Sequence, residues 1–262
     1  MNRDELADKL EYHEEAGNGQ VAQNIGGECI ERSDVMLIYS RPEFEMGLNF
    51  ASRIRTDEAN IEKLIDDTCA WFQLRHVTPE FRVSPLTQPA NVAQIFERRG
   101  FVCNEHETQM VLDGKDTEPP TNPRVSVEIV SSNDLEKFVT IQHHAFGGTG
   151  DPSSISIKMA HASFASGMST PYIARIDGDM VSAGALIFWA GVFGIYGVAT
   201  SAKARGQGVG TALVRRMIQD ARARGDAPIC LQAETGANTQ RWYERMGFRV
   251  VYDRTGWSFN KA

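Results

Sequence analysis

A stretch of thirteen residues occurs twice in this chain, and that repetition limits its fold more than any other feature. PANVAQIFERRGF (89–101) lines up without gaps on GANTQRWYERMGF (236–248), with Ala, Asn, Glu, Arg, Gly and Phe identical at six positions. Each copy follows a short strand-like run, FRVSP (81–85) and ICLQAE (229–234). Each run in turn follows a helix-like stretch, ANIEKLIDDTCAWF (59–72) and GVGTALVRRMIQDARA (208–223). The same order of elements around the same local sequence predicts two copies of one α/β unit within 262 residues. Between them, LDGKDTEPPTNPRV (112–125) is polar and holds three prolines and one glycine, which oppose both helix and ladder. The expected division is a first domain over 1–115, a linker at 116–124 and a second domain over 125–262.

The copies differ in chemistry. ARGQGVGTAL (204–213) sets three glycines in five positions directly ahead of helix formers, where the first copy has RTDEANIEKL (55–64) and no glycine. Glycine costs conformational entropy on folding, so three together imply a sharp bend or a close approach of backbone to a guest. The helix behind the loop points unpaired N–H groups and the positive end of its dipole at that guest, which suits an anion such as phosphate. Tyr243 of the second copy stands where the first has Phe96, so a phenol faces a plain ring. The first half is expected to keep the fold without the chemistry.

In the second half, VSVEIV (125–130) alternates as a half-buried strand does. Asn133 with Glu136 three residues on makes a capping-box pattern for a helix to about Phe146, and a second short helix is expected from about Ser153 to Ser166. PYIARIDGDMVSAGALIFW reads as a hairpin about an Asp-Gly turn. VFGIYGVAT (192–200) is a further strand notched by Gly194 and Gly197, a mark of a bulge or of close ligand passage. Val209, Leu213, Met217 and Ala221 form an apolar stripe at spacing four on the next helix. A strand (229–234), a helix (238–246) and two closing strands (248–253, 256–260) complete a mixed sheet with helices on both faces.

Charge narrows the partners. The net charge is −7, but residues 1–122 hold 12 basic and 23 acidic side chains, and residues 123–262 hold 15 and 11. An acidic chain is a poor ligand for nucleic acid, which is bound by phosphate neutralisation. The acidic half favours a cationic small molecule by electrostatic focusing. No apolar run approaches the roughly 20 residues that span a bilayer. The acidic, helix-like start MNRDELADKLEYHEEAG is unlike a secretory signal. Four scattered cysteines suggest neither a zinc site nor a disulfide framework, and a cytoplasmic protein with reduced thiols is expected.

Three phosphate-loop patterns compete for 204–213. A Walker loop needs a lysine after the last glycine, and Thr211 stands there. A dinucleotide GxGxxG lacks its third glycine, although Glu234 sits about where the ribose acid belongs. The third pattern, R-x-x-G-x-G, is met by Arg205, Gly208 and Gly210. With YGVATSAKARGQGVGTALV (196–214) and NTQRWYERMGF (238–248), the segment 125–262 resembles the GCN5-related N-acetyltransferase (GNAT) superfamily. The resemblance implies an α+β fold of two tandem GNAT-like units, each a mixed, mostly antiparallel sheet flanked by helices, the first degenerate. It implies acetyl-coenzyme A in a cleft between two splayed strands, with no metal. The pyrophosphate would lie on the amides of Gly206, Gln207, Gly208, Val209, Gly210 and Thr211, with Arg205 nearby. The pantetheine arm would run along the main chain of Val198, Ala199 and Thr200.

The resemblance also implies that Tyr243 gives a proton to the departing thiolate, for which a phenol of pKa about 10 is competent. Packing beside Trp242 and Met246 is the plainer reading of Tyr243. Asn238 is expected to cap its helix and to touch the coenzyme. The base is open: residues 191–200 hold no acid, which leaves Glu234 acting through water, or His144 with its neighbour His143 in the acceptor region. The acceptor is expected to be a small-molecule amine, and a homodimer is compatible with everything above. An acyl-coenzyme A sensor without turnover, or a Rossmann-type nucleotide binder, are the rival readings.

Overall fold

The computed structural model describes residues 1–41, 48–114, 122–165 and 167–259. Most of the expected linker, its residues 116–121, lies outside them. Contacts divide the chain into two compact units. One joins Met1–Met110 with Gln232–Trp242 and Arg249–Ala262; the other joins Val111–Leu231 with Tyr243–Phe248. The units therefore do not follow the expected cut at 116–124, because the last strand of the chain belongs with the first unit.

The first unit contains α1 (Arg3–Asn24), β1 (Glu28–Glu31), β2 (Met36–Tyr39), β3 (Phe50–Ser52), α2 (Ile61–Gln73), β4 (Glu80–Val83), α3 (Val92–Arg98) and β5 (Phe101–Leu112, to Met110). Its strands run in the order β1-β2-β3-β4-β11-β5, where β11 is the C-terminal strand Phe248–Phe259. The pairs β1–β2, β2–β3 and β11–β4 are antiparallel, and β3–β4 is parallel across the α2 crossover. Strand β2 is apolar at successive positions because both its faces are covered. Leu37 packs with Phe72, Phe81 and Phe96, whereas Met36 and Ile38 pack with Phe50 and Ala22 of α1.

Helix α1 begins with a capping box, the Asn2 side chain accepting from Glu5 N–H and the Glu5 carboxylate accepting from Asn2 N–H. Farther along, α1 buries charge where an apolar stripe would be usual. Glu11, Glu14 and Glu15 are all at most 9 % exposed. Arg254 of β11 donates to Glu14 (2.6 Å), Glu15 (3.2 Å) and Glu107, and Arg82 of β4 donates to Glu15 (3.3 Å). Arg53 and Arg55 both bind Glu11. Part of the acidity of the first half is thus paired inside it.

The second unit contains β6 (Val125–Ile129), α4 (Leu135–Ala145), α5 (Ser154–Ala165), β7 (Ser169–Ile176), β8 (Asp179–Trp189), β9 (Val192–Thr200), α6 (Val209–Arg224) and the start of β10 (Ile229–Glu234). The order is β10-β9-β8-β7-β6, antiparallel except for the β9–β10 pair across α6. Asp177 and Gly178, both with positive φ (51° and 92°), close the expected hairpin, pairing Ile176 with Asp179. Neighbouring residues of β8 face opposite helices, as the pleat requires. Ala183 packs with Phe138 of α4, and the Gly184 position faces Leu213 and Met217 of α6. All four residues of the spacing-four stripe on α6 are buried.

Three local expectations are corrected. Asn133 lies in a 3-10 turn (Ser132–Asp134), and the residue ahead of α4 is Asp134, with no side-chain cap. The turn is closed instead by Asp134 N–H donating to Ser131 O at 3.0 Å. The closing strands are one, β11, continuous through Arg254. Asn238 is the first residue of α7 (Asn238–Arg245), and its Oδ1 accepts from Arg241 Nη2 at 2.7 Å.

The order of elements repeats along the chain. Both halves run through three antiparallel strands, a helix, a parallel strand, a short helix and a final strand. The aligned ring pairs also match: Phe96 lies 5.3 Å from Phe101, and Tyr243 lies 5.9 Å from Phe248.

Candidate functional site

Strand β9, the loop behind it and the start of α6 form one continuous backbone surface in the second unit. Ala183 of β8 pairs with Ala199 and Ala185 pairs with Tyr196, so Gly197 and Val198 together face Gly184. This is a β-bulge, and it takes two backbone groups out of the ladder. Gly197 adopts φ 59°, a conformation that favours glycine, and a Cβ there would stand 2.3 Å from Gln142 Nε2 and displace the end of that side chain. Gln142 Nε2 donates to Gly197 O at 2.8 Å. Below the bulge, Ser182 Oγ donates to Ala199 O (2.6 Å) and lies 2.9 Å from Thr200 Oγ1. Arg205 Nε donates to Thr200 O at 3.1 Å, which folds that guanidinium back on the strand end.

The loop then turns through a 3-10 segment (Ala202–Ala204) that buries Ala204. Gly206 and Gly208 follow with φ near +76° and +77°. Gly208 is the N-cap of α6, with no side chain capping the helix. The first helical bond runs from Ala212 N–H to Gly208 O (3.0 Å), so the amides of Val209 and Gly210 precede the ladder. A Cβ on Gly206 would meet nothing within 4 Å, so the loop opens to space there. The helix start therefore offers amides and dipole with no acid of its own to satisfy them.

The corresponding helix of the first half is different. Ahead of α2, Asp57 Oδ1 accepts from Asn60 N–H (2.9 Å) and from Asn60 Nδ2 (2.8 Å). That carboxylate occupies the electropositive end that the second half leaves to glycine.

Tyr243, on the part of α7 that belongs to the second unit, is 7 % exposed, and burial raises its phenol pKa well above the ordinary value. Its hydroxyl therefore stays protonated at neutral pH. His143 and His144 end α4, and both rings hold the glycine-rich turn that follows. His143 Nε2 lies 3.3 Å from Thr149 O, and His144 Nε2 lies 2.8 Å from Gly150 O. The nitrogen facing a carbonyl must carry a proton, so His144 Nε2 acts as a donor and not as a base. Glu234 ends β10 and is exposed; Ala237 N–H donates to its carbonyl.

The structure thus brings Val198, Ala199, Thr200, Arg205 and 206–211 together, while the two histidines serve the turn at 147–150. Sequence reasoning missed Gln142 and Asn122, which both bond backbone of this surface. No motif marks them, since each acts through one side-chain amide. Among the described residues no group of three or more His, Cys, Asp or Glu is arranged to hold a metal ion. Among the described residues no helix is long and apolar enough to cross a membrane.

Residues 168–250 match the family model described as an acetyltransferase (GNAT) domain. Among solved structures, a GCN5-related N-acetyltransferase from Kribbella flavida is similar at TM-score 0.71 and 16 % identity, covering 95 % of this chain and 96 % of that one. A functionally unknown conserved protein from Staphylococcus epidermidis gives TM-score 0.66 at 15 % identity, with 91 % and 96 % covered. A GCN5-related N-acetyltransferase from Sphaerobacter thermophilus gives 0.64 at 17 % identity, with 88 % and 75 % covered. At these identities the structural likeness concerns the fold. No curated protein sequence matches the chain. The bulged strand and the glycine loop both fall inside the matched segment: the chain carries a GNAT acetyltransferase domain at residues 168–250.

Proposed function

We propose that this chain is an acetyl-coenzyme A-dependent N-acetyltransferase acting on the primary amine of a small molecule. The observation that carries the reading is the uncapped start of α6, with glycines at 206 and 208 in the left-handed region, directly behind the bulge in β9. A pyrophosphate fits this surface, because amides and helix dipole supply attraction without a side chain that fills the space. In this reading the amides of Gly206 to Thr211 hold the pyrophosphate, and the main chain of β9 from Val198 to Thr200 lines the pantetheine arm. Thr200 O already accepts from Arg205, so the arm's bonds fall on the bulge side of the strand.

Bound acetyl-coenzyme A supplies an activated thioester. Tyr243 Oη holds the proton that the leaving sulfur needs; burial makes the phenol a weaker acid, so its transfer is driven by the charge that develops on sulfur. Of the two candidate bases, Glu234 is exposed, whereas His144 is engaged through Nε2. Glu234→Gln and His144→Gln separate them by which one removes the acid limb of the pH–rate profile. The acceptor is proposed to be an amine that reacts in its neutral form; a cationic amine remains the first class to screen.

The test is release of coenzyme A in the presence of amino acids, polyamines and aminoglycosides. Turnover with one class, reduced about 100-fold by Tyr243→Phe at unchanged acetyl-coenzyme A affinity, supports the reading. A second reading, an acyl-coenzyme A sensor, is favoured by one fact: β9 carries no acidic side chain. Tight coenzyme binding with no amine-dependent release would select it.

A further inference from the structure

Two side-chain carboxamides hold carbonyls of the coenzyme surface from behind. Asn122, just ahead of β6, donates from Nδ2 to Gln207 O at 2.9 Å. Its own orientation is set by a turn in which its Oδ1 accepts from Arg124 N–H and its carbonyl from Val125 N–H, both at 3.0 Å. Its Cβ lies 3.7 Å from where a Cβ of Gly208 would be. Gln142 of α4 donates to Gly197 O at 2.8 Å and fills the space beside that glycine.

In a trans peptide the C=O of one residue and the N–H of the next point in opposite directions. The peptides after Gln207 and Gly197 are trans. A donor fixed on Gln207 O therefore fixes the direction of Gly208 N–H, and a donor fixed on Gly197 O fixes that of Val198 N–H. Glycine-flanked peptides rotate readily, so without a restraint these amides would sample both directions.

We infer that Asn122 and Gln142 are positioning residues: Asn122 aims the Gly208 amide at the pyrophosphate, and Gln142 aims the Val198 amide at the pantetheine arm. The inference rests on the coenzyme reading above. It also makes the stretch entering β6 part of the coenzyme site, through one side chain and no charge.

The test compares two probes, acetyl-coenzyme A and S-acetylpantetheine, which lacks the pyrophosphate, titrated by ligand-detected NMR against wild type, Asn122→Ala and Gln142→Ala. Losing one neutral hydrogen bond predicts a roughly three- to tenfold rise in Kd. Asn122→Ala is expected to weaken acetyl-coenzyme A by that factor and leave S-acetylpantetheine unchanged, while Gln142→Ala weakens both. Asn122→Asp keeps the shape but sets an acceptor against Gln207 O, so it weakens acetyl-coenzyme A further; it also serves if the alanine variant does not fold. Equal loss for both probes in Asn122→Ala, or no loss in either Asn122 variant, overturns the inference while wild-type binding upholds the coenzyme reading. Absence of acetyl-coenzyme A binding in wild type overturns both.

Discussion

Glu15 makes the folding of the first unit depend on pH, with a sign opposite to that of a surface carboxylate. It is 1 % exposed on α1, with Arg82 of β4 at 3.3 Å and Arg254 of β11 at 3.2 Å. Those guanidiniums are shared with Glu14 on the same helix and with Glu105 and Glu107 on β5, and Glu11 adds like charge. Burial outweighs the arginines and raises the Glu15 pKa from 4.5 to about 7. Between those two values the folded chain holds a proton that the unfolded chain has shed. The stabilisation is fully present below pH 4.5 and is lost as pH rises through about 7. At 1.36 kcal/mol per unit, the gap corresponds to about 3 kcal/mol. Glu15→Gln removes the titration but keeps the shape. Urea unfolding of both proteins from pH 4.5 to 8 should give a difference curve that shifts by about 3 kcal/mol in favour of the variant as pH rises. Parallel stability curves across that range would refute the reasoning, because Glu107, whose pKa is also raised, is present in both proteins and cancels.

Two further outcomes follow from close packing. Gly27→Ala would place its Cβ 2.1 Å from Tyr39 O and 2.9 Å from Ala22 O, both backbone atoms, so the junction of α1 and β1 must shift; thermal unfolding should show a loss of about 1–3 kcal/mol or more. Gly197→Ala meets only the end of the Gln142 side chain but must hold φ 59°, which costs roughly 1–2 kcal/mol. Chemical denaturation checks that figure, and an acetyl-coenzyme A titration should show weaker binding as well, since Gln142 is displaced.

The sequence was most informative where a pattern has a single cause. The repeat at 89–101 and 236–248 fits only one pairing of elements, and α3 with β5 and α7 with β11 reproduce it. The Asp177-Gly178 turn and the α6 stripe were legible for the same reason. Short strands were not: β1 to β3 are three or four residues long, and β2 is buried on both faces, so no alternation marks it. The glutamates of α1 read as solvated charge, because their arginine partners lie 42 to 240 positions away in the chain. The placement of β11 in the first unit was equally hidden, since strand pairing at such range leaves no local trace. At the site, the glycine loop announced its backbone, whereas Asn122 and Gln142 are single polar residues that only geometry identifies.

The central claim is that the loop at 206–211 holds the pyrophosphate of acetyl-coenzyme A. It is tested most directly by calorimetric titration of the wild type and of Gly206→Asp, with Gly206→Asn and NAD as controls. Position 206 has open space and φ 76°, a conformation that Asp and Asn tolerate, so the added charge is the main change. The account predicts one acetyl-coenzyme A site per chain, no comparable NAD binding, and at least tenfold weaker binding in Gly206→Asp than in Gly206→Asn. Binding that is unaffected by the aspartate, or no binding of acetyl-coenzyme A at all, would contradict it.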